Sequence, residues 1–150
     1  MTAYPKLDHE IDILTTNNMR IHGMINVLGR SISTYLQAAE PDVVMYHCTI
    51  DGNQSVDTLM IAKHQIVTVQ TGEHEQPEER IGHWQRLKLT MCDDKIITGD
   101  VNMTGYDRLS DYIQNHNENF YELHSVQTDD GFYELLYVSR IATLWKEPAD

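Results

Sequence analysis

Apolar and polar side chains alternate along most of the chain, the period-2 pattern of half-buried β-strands. The clearest stretch is 87–114, where Leu87, Leu89 and Met91 alternate with Lys88 and Thr90. Asp93-Asp94 predicts the turn that follows, because Asp tolerates the left-handed backbone of short hairpins. Ile97, Gly99, Val101 and Met103 resume the alternation as a second arm. The period then changes: Leu109 and Ile113 stand four apart, one face of a short helix. Residues 11–37 follow the same plan, with Asn17-Asn18 as the turn and Ile32 and Leu36 as the helical pair.

The two stretches match residue by residue. At an offset of 76, Ile21, Gly23 and Asn26 meet Ile97, Gly99 and Asn102. One extra residue enters near Gly105, and at 77 Ser33, Tyr35, Gln37 and His47 meet Ser110, Tyr112, Gln114 and His124. At 75, Ile66 and Thr68 meet Ile141 and Thr143. An internal duplication is therefore expected. The predicted division is a first unit over 1–70, a linker over 71–85 and a second unit over 86–150. The linker carries Pro77, Gly72, Gly82 and mostly acidic charge, and has no counterpart elsewhere.

Each unit is expected to contain five strands, with its helix (Ser31–Gln37 or Asp107–Gln114) between the second and third. Strands one and two fall at 11–16 and 19–28. Gly23 and Gly99 occupy inward places where a side chain is due, so they predict a bend or bulge. For the third strand, 43–50 and 120–127, Val44, Tyr46, Cys48 and Ile50 are expected inward. Tyr121, Leu123, Ser125 and Gln127 are their expected counterparts. That puts His47 and His124 outward, at equivalent places. Strands four and five are expected at 58–62 with 65–70, and at 132–138 with 140–145.

This order of elements resembles the Sm-like small β-barrel, a relative of SH3-like barrels. The Gly-bearing second strand and the closing segments 65–69 and 140–144 carry the likeness. The fold class is therefore expected to be mainly β, with two tandem Sm-like barrels. Two departures stand out. The Sm fold begins with its helix, and its closing turn carries Arg-Gly, where this chain has His64-Gln65 and Arg140-Ile141. RNA binding in that family relies on this turn and on an Asn-bearing loop after strand two, so it is not carried over. Arg108-Leu109-Ser110-Asp111-Tyr112-Ile113 also resembles a motif of uncharacterised bacterial proteins, a likeness that implies no activity.

Charge narrows the partners. The formal net charge is −12. It divides as −3 over 1–70 (4 basic, 7 acidic), −3 over 71–85 (1 and 4) and −6 over 86–150 (6 and 12). No segment is basic, so nucleic acid and anionic membrane surfaces are disfavoured partners. Two cysteines, Cys48 and Cys92, fit no disulfide framework and point to a reducing, cytoplasmic compartment. No apolar leader segment and no membrane-length apolar run is seen.

Chemistry is sparse. Eight histidines show no His-x-x-x-His spacing, and no Cys-x-x-Cys occurs. Ser33 and Ser110 lack a nucleophile-elbow context. No catalytic residue, metal or cofactor is expected. The expected function is a non-catalytic assembly or adaptor module, a homo-oligomer or a binder of another protein through sheet edges. A small-ligand or metal-binding domain using His47 and His124 is the alternative, and an RNA-binding Sm relative the second. Arg30, Arg108, Tyr35 and Tyr112 complete the candidate ligand or interface residues.

Overall fold

The alternating stretches form strands, and the strands form the same ladder in each half of the chain. The computed structural model describes residues 8–71, 82–115 and 118–149. The chain divides into two compact units, Met1–Glu73 and His74–Asp150. Unit 1 contains β1 (Asp8–Thr15), β2 (Arg20–Asn26), α1 (Ile32–Gln37), β3 (Asp42–Ile50), β4 (Gln54–Ala62), a 3-10 turn (Lys63–Gln65) and β5 (Ile66–Thr71). Unit 2 contains β6 (Trp84–Met91), β7 (Ile96–Asn102), α2 (Leu109–Asn115), β8 (Phe120–Thr128), β9 (Gly131–Ser139) and β10 (Thr143–Pro148). Most of the expected linker, and the lead-in before Asp8, lie outside the described residues. The linker's described ends, Thr71 and Trp84-Gln85, are strand.

The protein is mainly β. Strand order is β5-β1-β2-β3-β4 in unit 1 and β10-β6-β7-β8-β9 in unit 2. All these pairings are antiparallel. The fourth and fifth strands stand at opposite edges of their unit, so neither sheet closes on itself into a barrel. The core of unit 1 holds Ile11, Ile13, Ile25, Leu36, Met45 and Val69, all buried. That of unit 2 holds Leu87, Leu89, Val101, Phe120 and Leu123.

The turns follow from the residues foreseen. Asn18 and Asp94 take positive φ, 65° and 71°. Thr15 N–H donates to Met19 O at 3.0 Å, and Met91 N–H to Lys95 O at 2.8 Å. After each second strand an Asn side chain organises the exit. Asn26 Oδ1 accepts from Leu28 N–H (2.8 Å), and Asn102 Oδ1 from Thr104 N–H (3.0 Å). Ser31 caps α1, its Oγ accepting from Thr34 N–H at 3.1 Å. Asp107 makes no matching cap to α2, where Arg108 O accepts from Asp111 and Tyr112 N–H.

The third strand corrects the expectation. In β3 the buried residues are Val43, Met45 and Cys48, whereas Tyr46 is exposed and Val44 and Ile50 half-buried. In β8 they are Phe120, Tyr121, Leu123 and Val126, with Ser125 half-buried and Gln127 exposed. The cause is a bulge. His47 and Ser125 each take φ 52°, a left-handed backbone. The β2–β3 register steps from His22↔Thr49 to Met24↔Tyr46, three residues against two. The β7–β8 register steps from Thr98↔Gln127 to Asp100↔His124 in the same way. An extra residue reverses which face looks inward. Cys48 is buried as expected, but only because the bulge returns it to the core.

Opposite the bulge sits the glycine. A Cβ on Gly23 would lie 3.0 Å from Tyr46 O and 3.1 Å from Cys48 Sγ, and one on Gly99 2.9 Å from Leu123 Cβ. The bend brings the bulge so close that a side chain at either glycine would force its neighbours to shift.

Candidate functional site

The bulge changes which residues correspond. His47 matches Ser125, and His124 matches Tyr46, so the two histidines are not equivalent. His47 is exposed at the bulge. His124 is half-buried, its ring edge-on to Trp84 with centroids 4.9 Å apart. Its Nε2 lies 3.8 Å from Glu122 Oε2, an ion-pair distance rather than a hydrogen bond. Glu122 Oε1 accepts from Tyr137 Oη at 3.2 Å. Among the described residues, no group of three or more His, Cys, Asp or Glu is placed to hold a metal ion.

Arg30 and Tyr35 do come together. The Arg30 guanidinium carbon lies 5.2 Å from the Tyr35 ring centroid. Arg30 Nε donates to Val27 O at 3.3 Å, and Nη1 reaches Glu40 Oε1 at 3.5 Å. Tyr35 Oη accepts from Val44 N–H at 3.1 Å, which pins the end of α1 to β3. These residues wall a cavity of about 360 Å³. Val44, Tyr46, Asp8, Asp42 and Leu28 also line it.

Lys63 completes the wall and was not singled out from the sequence. Its side chain is 8% exposed, unusual for lysine. Nζ donates to Ala38 O at 2.8 Å and to Tyr35 O at 3.3 Å, the last carbonyls of α1. A cation there satisfies acceptors that a helix end leaves open. Burial pulls the Lys63 ammonium below its ordinary range and Arg30 adds to that, while Glu40 opposes it. In unit 2, Arg140 holds the corresponding place but bonds the segment before β8 rather than the helix end, with Nε donating to Glu118 O at 2.9 Å. Lys63 N–H bonds Pro41 O and Arg140 N–H bonds Asn119 O, which fixes the correspondence. A basic residue after each fourth strand was the signal available in the sequence.

Arg108 and Tyr112 do not repeat the first pair. Arg108 is turned outward to Asp111, Nε to Oδ2 at 3.1 Å, its side chain 75% exposed. The turn that Arg30 N–H closes on Val27 O is closed in unit 2 by Tyr106 N–H on Met103 O. Tyr106 therefore holds the place of Arg30, and its ring lies edge-on to Tyr112 at 5.8 Å. Burial pushes the Tyr112 hydroxyl far above its usual range.

A second, more apolar groove of about 460 Å³ lies in unit 2 between α2 and β10. Leu109, Ile113, Leu144 and Trp145 line it. No helix among the described residues is long and apolar enough to cross a membrane. Comparison with known proteins finds no matching family model, no matching curated protein and no matching solved structure.

Proposed function

We propose that the chain is a non-catalytic assembly module, built from two Sm-like units in tandem and associating through sheet edges. The observation that carries this reading is a pair of open edges. Among the described residues, no strand pairs with the outer side of β4 or of β10. An unpaired row of backbone donors and acceptors is a template for a strand of another chain. Both edges also show apolar side chains to solvent: Met60 is 68% exposed, and Leu144 and Trp145 slightly more than half. β4 and β10 come from different units, so β4 of one copy can pair with β10 of another.

The tandem reading is supported by the shared strand order, the paired turns, the bulge at His47 and Ser125, and the Gly opposite it. Lys63 and Arg140 add a basic residue after the fourth strand whose N–H bonds the residue before the third. The ligand-binding alternative through His47 and His124 loses the equivalence that singled the two residues out. The RNA-binding alternative is opposed by the net charge of −12. A cytoplasmic home fits Cys48 and Cys92, both free.

Sedimentation velocity tests the proposal. The native chain should sediment as a dimer or larger particle, and Met60→Lys and Leu144→Lys should each shift it towards monomer. Both side chains are exposed, so neither substitution should unfold the chain. A native chain that stays monomeric at every concentration would sink the assembly reading.

A further inference from the structure

The cavity beside α1 is not a by-product of the fold, because unit 2 makes the same fold with that place filled. Arg30 over Tyr35 is replaced there by Tyr106 against Tyr112. Asp8 and Tyr46 are replaced by Trp84 and His124, whose rings touch. Strand register fixes these matches: Asp8↔Asn26 in unit 1 answers Trp84↔Asn102 in unit 2, and Met24↔Tyr46 answers Asp100↔His124. What unit 1 has instead of packed rings is an open space with separated charges.

We propose that this cavity binds a free α-amino acid with an apolar side chain. The charges choose the class. Asp8, Glu40 and Asp42 stand against Arg30 and Lys63, an excess of one carboxylate. A bare anion is repelled, and a bare cation has two like charges in the wall. A zwitterion satisfies both sets. Arg30 receives the carboxylate: its one contact with a carboxylate, Glu40, is a loose 3.5 Å and exposed, and a bound carboxylate replaces it. The carboxylates of Asp8 and Asp42 enter no side-chain hydrogen bond or ion pair among the described residues and receive the ammonium. Lys63 is committed to the helix carbonyls and supplies charge without direct contact.

Apolar lining residues accommodate the side chain. Val44 and Tyr46 are apolar surface beside the charges. Leu28 lines the same cavity at 73% exposure and with φ 54°, a costly conformation for a branched apolar residue. A volume of about 360 Å³ suits a small ligand.

The test is a titration of the full chain, followed by amide nuclear magnetic resonance, with L-leucine and L-phenylalanine. Saturable shifts are expected at Arg30, Val44 and Tyr46. Leucinamide and N-acetyl-L-leucine each lack one charge and should bind about tenfold more weakly or worse. Arg30→Gln and, separately, Asp42→Asn should weaken L-leucine by a similar factor while leaving the rest of the spectrum in place. No saturable shift with either amino acid overturns the proposal. So does unchanged affinity in both variants, or equal binding of the blocked derivatives. Adenosine monophosphate saturating the same amides when the amino acids do not would assign the cavity to nucleotides and also overturn it.

Discussion

His47 and Ser125 each add one residue to the third strand of their unit, and each does so with φ 52°. Neither residue is a glycine, so nothing in the local sequence marks the left-handed turn of backbone. A period-2 pattern therefore runs straight through both bulges and places Tyr46 and Ser125 inward. The glycines opposite were legible, because an apolar strand that omits a side chain needs a reason. At Gly99 an added methyl meets Leu123 Cβ at 2.9 Å and Val126 Cγ2 at 3.2 Å. Neither atom is the far end of a flexible chain, so the strand has to move. Gly99→Ala should cost about 1–3 kcal/mol, the usual range for overpacking. Urea unfolding followed by circular dichroism reads this directly. An unchanged midpoint would show that the bend does not depend on the close approach.

Among the elements, the hairpins and the helices are readable from the sequence because turn and helix-face residues act locally, whereas the Asn26 and Asn102 exits fall inside the expected second strand. The pairing of Arg30 with Tyr35 and Lys63 is not readable either, since it needs three elements to meet. Cross-strand ion contacts belong to the same class. On the β1–β2 hairpin, His22 Nδ1 lies 2.8 Å from Asp12 Oδ1, and Nε2 lies 2.6 Å from Glu10 Oε1. The corresponding places in β6 and β7 are Arg86, Lys88 and Thr98, so the clamp belongs to unit 1 alone. The hydrogen bond to Asp12, with the charges of Asp12 and Glu10, raises the His22 pKa above 6.5 against the opposing effect of burial. The folded state therefore holds the proton more tightly than the unfolded state. The stabilisation is fully present below pH 6.5 and is lost as pH rises through the raised value. All three side chains are about half exposed, so the effect is modest. His22→Gln should flatten the melting temperature between about pH 6 and pH 8, near the ordinary imidazole range. A native profile already flat across that window would show that the clamp has no hold on stability.

At the scale of the whole molecule, charge and edges pull in opposite directions, and salt decides between them. The chain carries −12, with −6 of it over 86–150. Two copies brought edge to edge repel through this field, and β10 belongs to the more acidic half. The pairing force is different in kind: backbone hydrogen bonds and the apolar contacts of Met60, Leu144 and Trp145 depend little on ionic strength. Screening shortens the reach of the repulsion from ~30 Å at 0.01 M salt to ~3 Å at 1 M. Self-association should therefore tighten as salt rises, with the dissociation constant falling steadily. Binding to nucleic acid would show the reverse slope, because counterion release weakens as salt increases. Sedimentation equilibrium of the native chain across that range distinguishes the two. A dissociation constant that climbs with salt would mean that opposite charges, not sheet edges, hold the copies together. Met60→Lys and Leu144→Lys sharpen the reading. Each lowers the net negative charge by one and so weakens the repulsion, yet each should still loosen the particle, because a lysine on an open edge blocks strand pairing.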